Sequence, residues 1–423
     1  MRRFIPLLLV FAFCFTGCLR YGSDVAKLPP GKADHTVIMY LWADNNLAAS
    51  IIENSREAES AMNAKTLPTG RLLIYLDSAD TTTLYEVHYR RYGSADFIKE
   101  SNLLKAYPKQ CSADPAVMKQ VLNDIKRMAP SRSYGIILSG HGSGWFPKPS
   151  TGTTYMSQLA RALLGEYNFA PMDCDAQTKW IGNDNHNTDD ISLMSAEDLV
   201  EGLSPIHFEY IIFDACFMSS IEFLYDLRGS ADYIVAAPTE VMNRGYTYGT
   251  VIPALLSSHH SLTDIAGSIV DTYRNTSYST VKSVSIAVID CSRLENLADK
   301  VRRIYSSTLN TVDLGTVQHL ERMLPHAFYD MNGYLSALCG DPAAYAEYLT
   351  AFSEAVLYAG NTDDIFSYGC TPDGTSCGYA FIEQKMGGSL KLCGVSCYVP
   401  IPSAPITAHY YRQTAWAKAV GAE

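Results

Sequence analysis

A chain of 423 residues, 47% hydrophobic and 18% charged, has enough apolar side chain for one large domain or two ordinary ones. Its formal net charge of −11 and its lack of any continuous basic stretch argue against a nucleic-acid partner. An acidic surface suits solubility and mildly favours basic substrates.

Arg2 and Arg3 precede an apolar stretch, Phe4 to Phe15, that is too short to span a bilayer as a stable anchor. It ends at Phe15-Thr16-Gly17-Cys18, where small residues before a cysteine resemble a bacterial lipobox, with Phe15 in the place usually held by Leu. The expectation is a lipoprotein signal over 1–18, lipidation of Cys18, and attachment through that lipid to a membrane of the cell envelope. Residues 19–33, with Gly, Ser and two prolines, read as a tether. Export makes disulfides admissible. Of eleven cysteines, Cys370, Cys377, Cys393 and Cys397 cluster in sequence and predict at least one disulfide. Their spacings are poor for a zinc ribbon or finger.

His35 to Trp42 is a near-continuous apolar run and predicts a buried parallel strand. Asn45 to Met62 has helical spacing, and Arg71 to Leu76 predicts a second buried strand. Leu84 to Tyr89 alternates as a hairpin strand does. Asp114-Pro115 opens a helix with a cap and a first-turn proline. Further buried strands are predicted at Tyr134–Leu138, Phe208–Ile212, Tyr233–Ala237 and Val284–Ile289, with a helix over Ile221–Leu227. The segment from Phe146 to about Asp190 reads as a long insertion. Asp184, His186, Asp189 and Asp190 lie at its end, but they lack the Gly and terminal Glu of an EF-hand and read as a solvated acidic loop. Beyond residue 292 the pattern is less regular, with helices over Leu294–Leu309 and Ala343–Tyr358 and short strands at Tyr379–Glu383 and Cys397–Ile401. The alternation of strands and helices predicts βαβ units: an α/β fold with a mostly parallel sheet covered on both faces. The predicted units are a core over 34–291 and an α+β extension over 292–423 packed on it.

Two stretches carry the chemistry. Ser139-Gly140-His141-Gly142-Ser143-Gly144-Trp145 follows one buried strand, and Phe213-Asp214-Ala215-Cys216-Phe217-Met218 follows another. Open α/β sheets place their chemistry at the carboxyl edge, where an imidazole and a thiol can meet as base and nucleophile. An adjacent imidazolium would lower the Cys216 pKa. The N–H groups of Gly142 and Cys216 are the natural oxyanion donors. Asp214 is either a pocket carboxylate able to pair with a guanidinium or ammonium, or a cap for the following helix.

These two motifs, with the later Ala236-Ala237-Pro238-Thr239-Glu240 and Gly245-Tyr246, resemble the clostripain family of cysteine peptidases over roughly residues 34 to 290. The resemblance implies a caspase-like three-layer sandwich and a cysteine endopeptidase acting on protein or peptide substrates through His141 and Cys216. It also implies cleavage after Arg or Lys, with Asp214 in the S1 pocket and Glu240 as the candidate second acid. Arg244, nearby in sequence, would oppose a basic P1 residue. Family members are activated by self-cleavage between the histidine and the cysteine, where Lys148, Arg161 and Lys179 are the basic residues. No metal site or cofactor is expected: some relatives use calcium, but no ligand motif here matches one. The rival readings are a catalytically silent binding lipoprotein of the same fold and a serine hydrolase built on Ser376. The latter lacks a buried strand before its serine.

Overall fold

The structure, a computed structural model, describes residues 33–422 except 63–69, 93–95, 146–179, 188–189, 258, 276, 278, 280, 308–310, 323, 371–376, 386–389 and 402–404. The strands are β1 Ala33–Ala43, β2 Gly70–Ser78, β3 Thr82–Tyr92, β4 Asp96–Tyr107, β5 Ser131–Ser139, β6 Trp180–Asn187, β7 Asp190–Ser195, β8 Phe208–Asp214, β9 Ala231–Ala236, β10 Ser285–Asp290, β11 Tyr329–Asp330, β12 Val356–Asn361, β13 Phe366–Cys370, β14 Cys377–Phe381 and β15 Ser396–Cys397. The helices used below are α1 Ala48–Ala61, α2 Pro115–Met128, α3 Ala196–Leu203, α4 Ile221–Leu227, α5 Tyr248–Leu255, α6 Leu262–Asn275, α7 Leu294–Ser307, α8 Met331–Leu338 and α9 Pro342–Ala355.

Nine strands form the main sheet in the order β12-β10-β9-β8-β5-β1-β2-β3-β4. Its centre is parallel: β2, β1, β5, β8 and β9 all run the same way. Antiparallel strands close it on both sides, β3 and β4 at one edge and β10 and β12 at the other.

Alternation along each central strand sends side chains to two cores. Val37, Met39 and Leu41 of β1 pack with Ile51, Val251 and Ile269 of α1, α5 and α6. Ile38, Tyr40 and Trp42 pack with the face built from Val121 of α2, Leu199 of α3, Phe223 of α4, Leu297 of α7 and Phe352 of α9. Both faces are therefore covered, which explains why these strands read as unbroken apolar runs. The α2 entry is as the sequence predicts: the Asp114 carboxylate accepts the Ala116 N–H at 2.7 Å, with Pro115 in the first turn.

Two expectations need correction, one is narrowed and three elements are new. The helix predicted to run to Tyr358 stops at Ala355, and the chain continues as β12, antiparallel to β10. That strand carries the carboxyl-terminal third into the main sheet, where it covers an edge that β10 would otherwise leave open. Asp184 is not solvated: it lies buried in the β6–β7 hairpin, and its carboxylate accepts the Ser112 N–H. Cys393 and Cys397 carry free thiols, while the side chains of Cys370 and Cys377, the other two members of the cluster, lie outside the described residues. Finally, β4, α5 and α6 are absent from the sequence reading. Among the described residues no helix is long and apolar enough to cross a membrane.

Candidate active site

β1, β5, β8 and β9 are adjacent in the sheet and parallel, so the loops after them share one edge. The chain runs from β1 outward to β2 and returns to the other side of β1 as β5, which makes the β1–β5 gap the switch point where a crevice opens. Those four loops carry Asn46, His141, Cys216 and Glu240. Register does the finer positioning. Ser139 of β5 pairs with Asp214 of β8, so His141 and Cys216, each two residues further on, stand in neighbouring loops. Both line a cavity of about 410 Å³, with Asn46, Asp214, Glu240 and Tyr379 also in its wall.

The two loops lie backbone against backbone. A Cβ on Gly142 would stand 2.6 Å from the Cys216 carbonyl oxygen and 2.7 Å from Met218 Sδ, and one on Gly144 (φ +59°) 2.6 Å from the Phe217 oxygen. Glycine is needed at both positions for this approach. Phe217, directly after the cysteine, has φ of 61° and is the sole non-glycine with positive φ among the described residues. Such strain persists only where its surroundings fix it. Here the Phe217 N–H donates to the Thr239 oxygen at 2.9 Å, and its ring stacks on Phe328 at 4.4 Å. Trp145, fully buried, anchors the histidine loop against Tyr398, with ring centroids 4.2 Å apart.

His141 Nε2–H donates to Asn46 Oδ1 at 2.7 Å. Asn46 is held in turn by its neighbour, since Asn45 Oδ1 accepts the Leu47 N–H and Asn45 Nδ2 donates to the Trp42 oxygen, both at 2.8 Å. Burial pushes the His141 imidazole down to about 4. Burial pushes the Cys216 thiol up to about 12; the Glu240 and Asp214 carboxylates add to the rise, and the Val241 N–H, 3.4 Å from Sγ, opposes it. The expected lowering of the thiol pKa is thus reversed in this form. In this form burial favours the neutral state of both groups.

Asp214 is buried and lines the cavity. Tyr248 Oη–H donates to its Oδ2 at 2.6 Å, and burial pushes the carboxyl up to about 6. It does not cap the following helix, whose N-cap is Ser220. Gly245 (φ +68°) makes room for it, because a Cβ there would be 2.5 Å from Oδ2 and 2.6 Å from Asn54 Nδ2. Glu240 is occupied differently: its Oε1 accepts from Ser367 Oγ–H at 2.8 Å and from the Tyr368 N–H at 2.9 Å, both on β13. Arg244 is exposed and does not line the cavity. Cys18, Lys148, Arg161 and Lys179 lie outside the described residues.

Three cavity-lining residues escaped the sequence reading. Asn46 had a signal, a polar Asp44-Asn45-Asn46 run directly after a buried strand. Phe366 and Tyr379, on the facing strands β13 and β14, had none, because nothing local ties that hairpin to the cavity it rims.

A family model described as the clostripain family matches residues 168–354. No curated protein matches the chain. Among solved structures, it is similar to a secreted C11 cysteine protease from Bacteroides thetaiotaomicron in complex with an irreversible peptide inhibitor: 26% identity and a TM-score of 0.73, over 92% of this chain and 100% of that one. It is similar to an inactive zymogen C11 protease from Parabacteroides distasonis at 26% identity and a TM-score of 0.72, over 93% and 99%. These likenesses bear out the caspase-like α/β architecture. The family match over residues 168–354, the near-complete structural overlap with C11 proteases and a pocket holding both a thiol and an imidazole point the same way: the chain is similar to the clostripain family of cysteine peptidases.

Proposed function

We propose that the protein is an endopeptidase in which Cys216 is the nucleophile and His141 the general base and acid, with cleavage after Arg or Lys. The observation that carries this reading is the convergence of Cys216, His141 and Asp214 on one cavity at the carboxyl edge of the sheet. In the first step the Cys216 Sγ–H proton passes to the imidazole as the S–C bond forms at the scissile carbonyl. The oxyanion is taken by the Gly142 and Cys216 N–H groups, each donor contributing on the order of 3 kcal/mol. His141 then gives the proton to the leaving amine, the C–N bond breaks and a thioester remains. Water, deprotonated by His141, hydrolyses the thioester and restores the thiol. Asn46 keeps the ring in place throughout.

Asp214 is the better of the two acids for a basic P1 residue. It lines the cavity, which the exposed Arg244 does not, whereas one Glu240 oxygen already serves β13. The neutral, partly buried thiol fits a resting precursor, with cutting at Lys148, Arg161 or Lys179 as the activating step. Lipidation at Cys18 would display the enzyme on the envelope. The test compares the full chain with its Cys216→Ala variant on fluorogenic peptides varied only at P1, with chain integrity followed on a gel. Cleavage after Arg or Lys, and chain cutting, are both expected to vanish in the variant. Cleavage that survives it overturns the assignment of Cys216.

A further inference from the structure

The edge of the sheet opposite the catalytic loops holds a second cluster of chemistry-bearing side chains. His35 lies near the start of β1, Glu209 near the start of β8, and His260 in the connection from α5 to α6. We propose that His35, Glu209 and His260 form a binding site for a divalent transition metal of the zinc class.

One ligand atom from each residue lies within 4.8 Å of those of the other two. Glu209 faces both rings: Oε2 is 3.4 Å from His35 Nδ1, and Oε1 is 2.9 Å from His260 Nε2. Donors bound at about 2.0–2.2 Å in a tetrahedral site stand roughly 3.3–3.5 Å apart, so the cluster needs only small adjustment to close on an ion. Both imidazoles are largely buried, at 12% and 14% side-chain exposure, whereas Glu209 at 34% leaves a path for an ion and its water.

The surroundings are built as metal-ligating histidines require. His35 Nε2 lies 2.8 Å from Tyr210 Oη. With Nε2–H donated there, Nδ1 turns its lone pair toward Glu209 and toward the Ser133 hydroxyl 2.7 Å away. Tyr210 reaches His35 only because β5 is bare between them: a Cβ on Gly135 would collide with the Tyr210 ring. Two imidazoles and a single carboxylate favour zinc or its neighbours over calcium or magnesium, which take oxygen ligands. A bound ion would tie the amino ends of β1 and β8 to the segment entering α6. Sequence reading missed the set because 174 residues of chain separate His35 from Glu209 and a further 51 separate Glu209 from His260.

The test uses the chelator-treated full chain in a Cys216→Ala background, which removes the active-site thiol as a competing ligand. Zinc chloride is titrated by calorimetry, and Tm is followed with and without the ion. One equivalent of zinc and a Tm rise of several degrees are expected. His35→Gln and His260→Gln are each expected to weaken binding by at least about a hundredfold and to abolish the zinc-dependent Tm rise, measured against each variant's own zinc-free Tm. If either fails to fold, Glu209→Gln replaces it. Cobalt(II) is expected to show ligand-field bands without thiolate charge transfer. Undiminished zinc binding by the variants, no zinc-dependent Tm shift in the parent chain, or a shift produced by calcium instead would each overturn the assignment.

Discussion

Asp214 gives the most discriminating prediction, because activity and stability should respond to it in opposite directions. Burial pushes its pKa up to about 6 from an ordinary 3.8. A cationic P1 side chain needs the carboxylate, which is almost fully ionised at about pH 7.5 and only about one-tenth ionised at about pH 5. The ratio of kcat/KM for an Arg substrate to that for its neutral citrulline counterpart should therefore fall about tenfold over that range, since titration of the catalytic pair cancels in the ratio. Asp214→Asn should lower the ratio roughly 10- to 100-fold at neutral pH, the worth of one hydrogen bond to a charged group, and flatten its pH dependence. The stability sign follows from linkage. The folded chain holds this proton more tightly than the unfolded chain, so the contribution of Asp214 is fully present below about pH 4 and is lost as pH rises through about 6. Its cost at neutral pH is on the order of 3 kcal/mol. The Asn variant should accordingly match or exceed the parent Tm at about pH 7.5. An Arg preference that is flat in pH and survives Asp214→Asn, together with a lowered Tm, would show that the carboxylate is structural.

Asn46→Ala should lower kcat about tenfold with KM nearly unchanged, the loss of one hydrogen bond that orients a base; an equal change in KM would mean that Asn46 binds substrate instead. Gly245→Ala places a Cβ against Asp214 Oδ2 at positive φ. It should cost about 1–2 kcal/mol from the backbone alone, seen as a lowered Tm. In the uncut chain Cys216, with its pKa about 12, should react with iodoacetamide about a thousandfold more slowly than a free thiol at neutral pH. Labelling as fast as that of glutathione would show that the pocket is wetter than described.

The parallel centre of the sheet was legible because burial on both faces removes the polar positions that would break an apolar run. Every central strand was found within a few residues. His141 and Cys216 were legible for a related reason: each follows such a run directly, so its place on the carboxyl edge is a local property. What failed was non-local. Residues 356–361 follow α9 with no intervening turn signal, and only pairing with β10 makes them a strand. The expected thiol pKa is reversed because the sequence gives neighbours along the chain, whereas burial in the fold and the nearby Glu240 carboxylate push it up. The partner of His141 lies 95 residues away, and the acceptor role of Glu240 depends on a strand more than 120 residues further on.

The long-range contacts share a pattern that bears on how the loops carrying His141, Cys216 and Glu240 are held. Beyond Cys216, the Ser219 hydroxyl donates to the Gly394 oxygen at 2.7 Å, and the Ser219 oxygen accepts the Ser396 N–H at 3.0 Å. The Tyr398 N–H donates to the Glu222 carboxylate at 2.8 Å. Phe328 stacks on Phe217, Tyr398 packs on Trp145, and β13 satisfies Glu240. The carboxyl-terminal third thus contacts all three loops that follow β5, β8 and β9, and it does so through buried groups whose loss would leave charges and carbonyls without partners, at about 1–3 kcal/mol for each neutral group. A strained residue such as Phe217 can sit beside Cys216 only if such contacts outweigh its cost. The sheet sets where His141 and Cys216 emerge, and the residues after 316 set the conformation in which they meet.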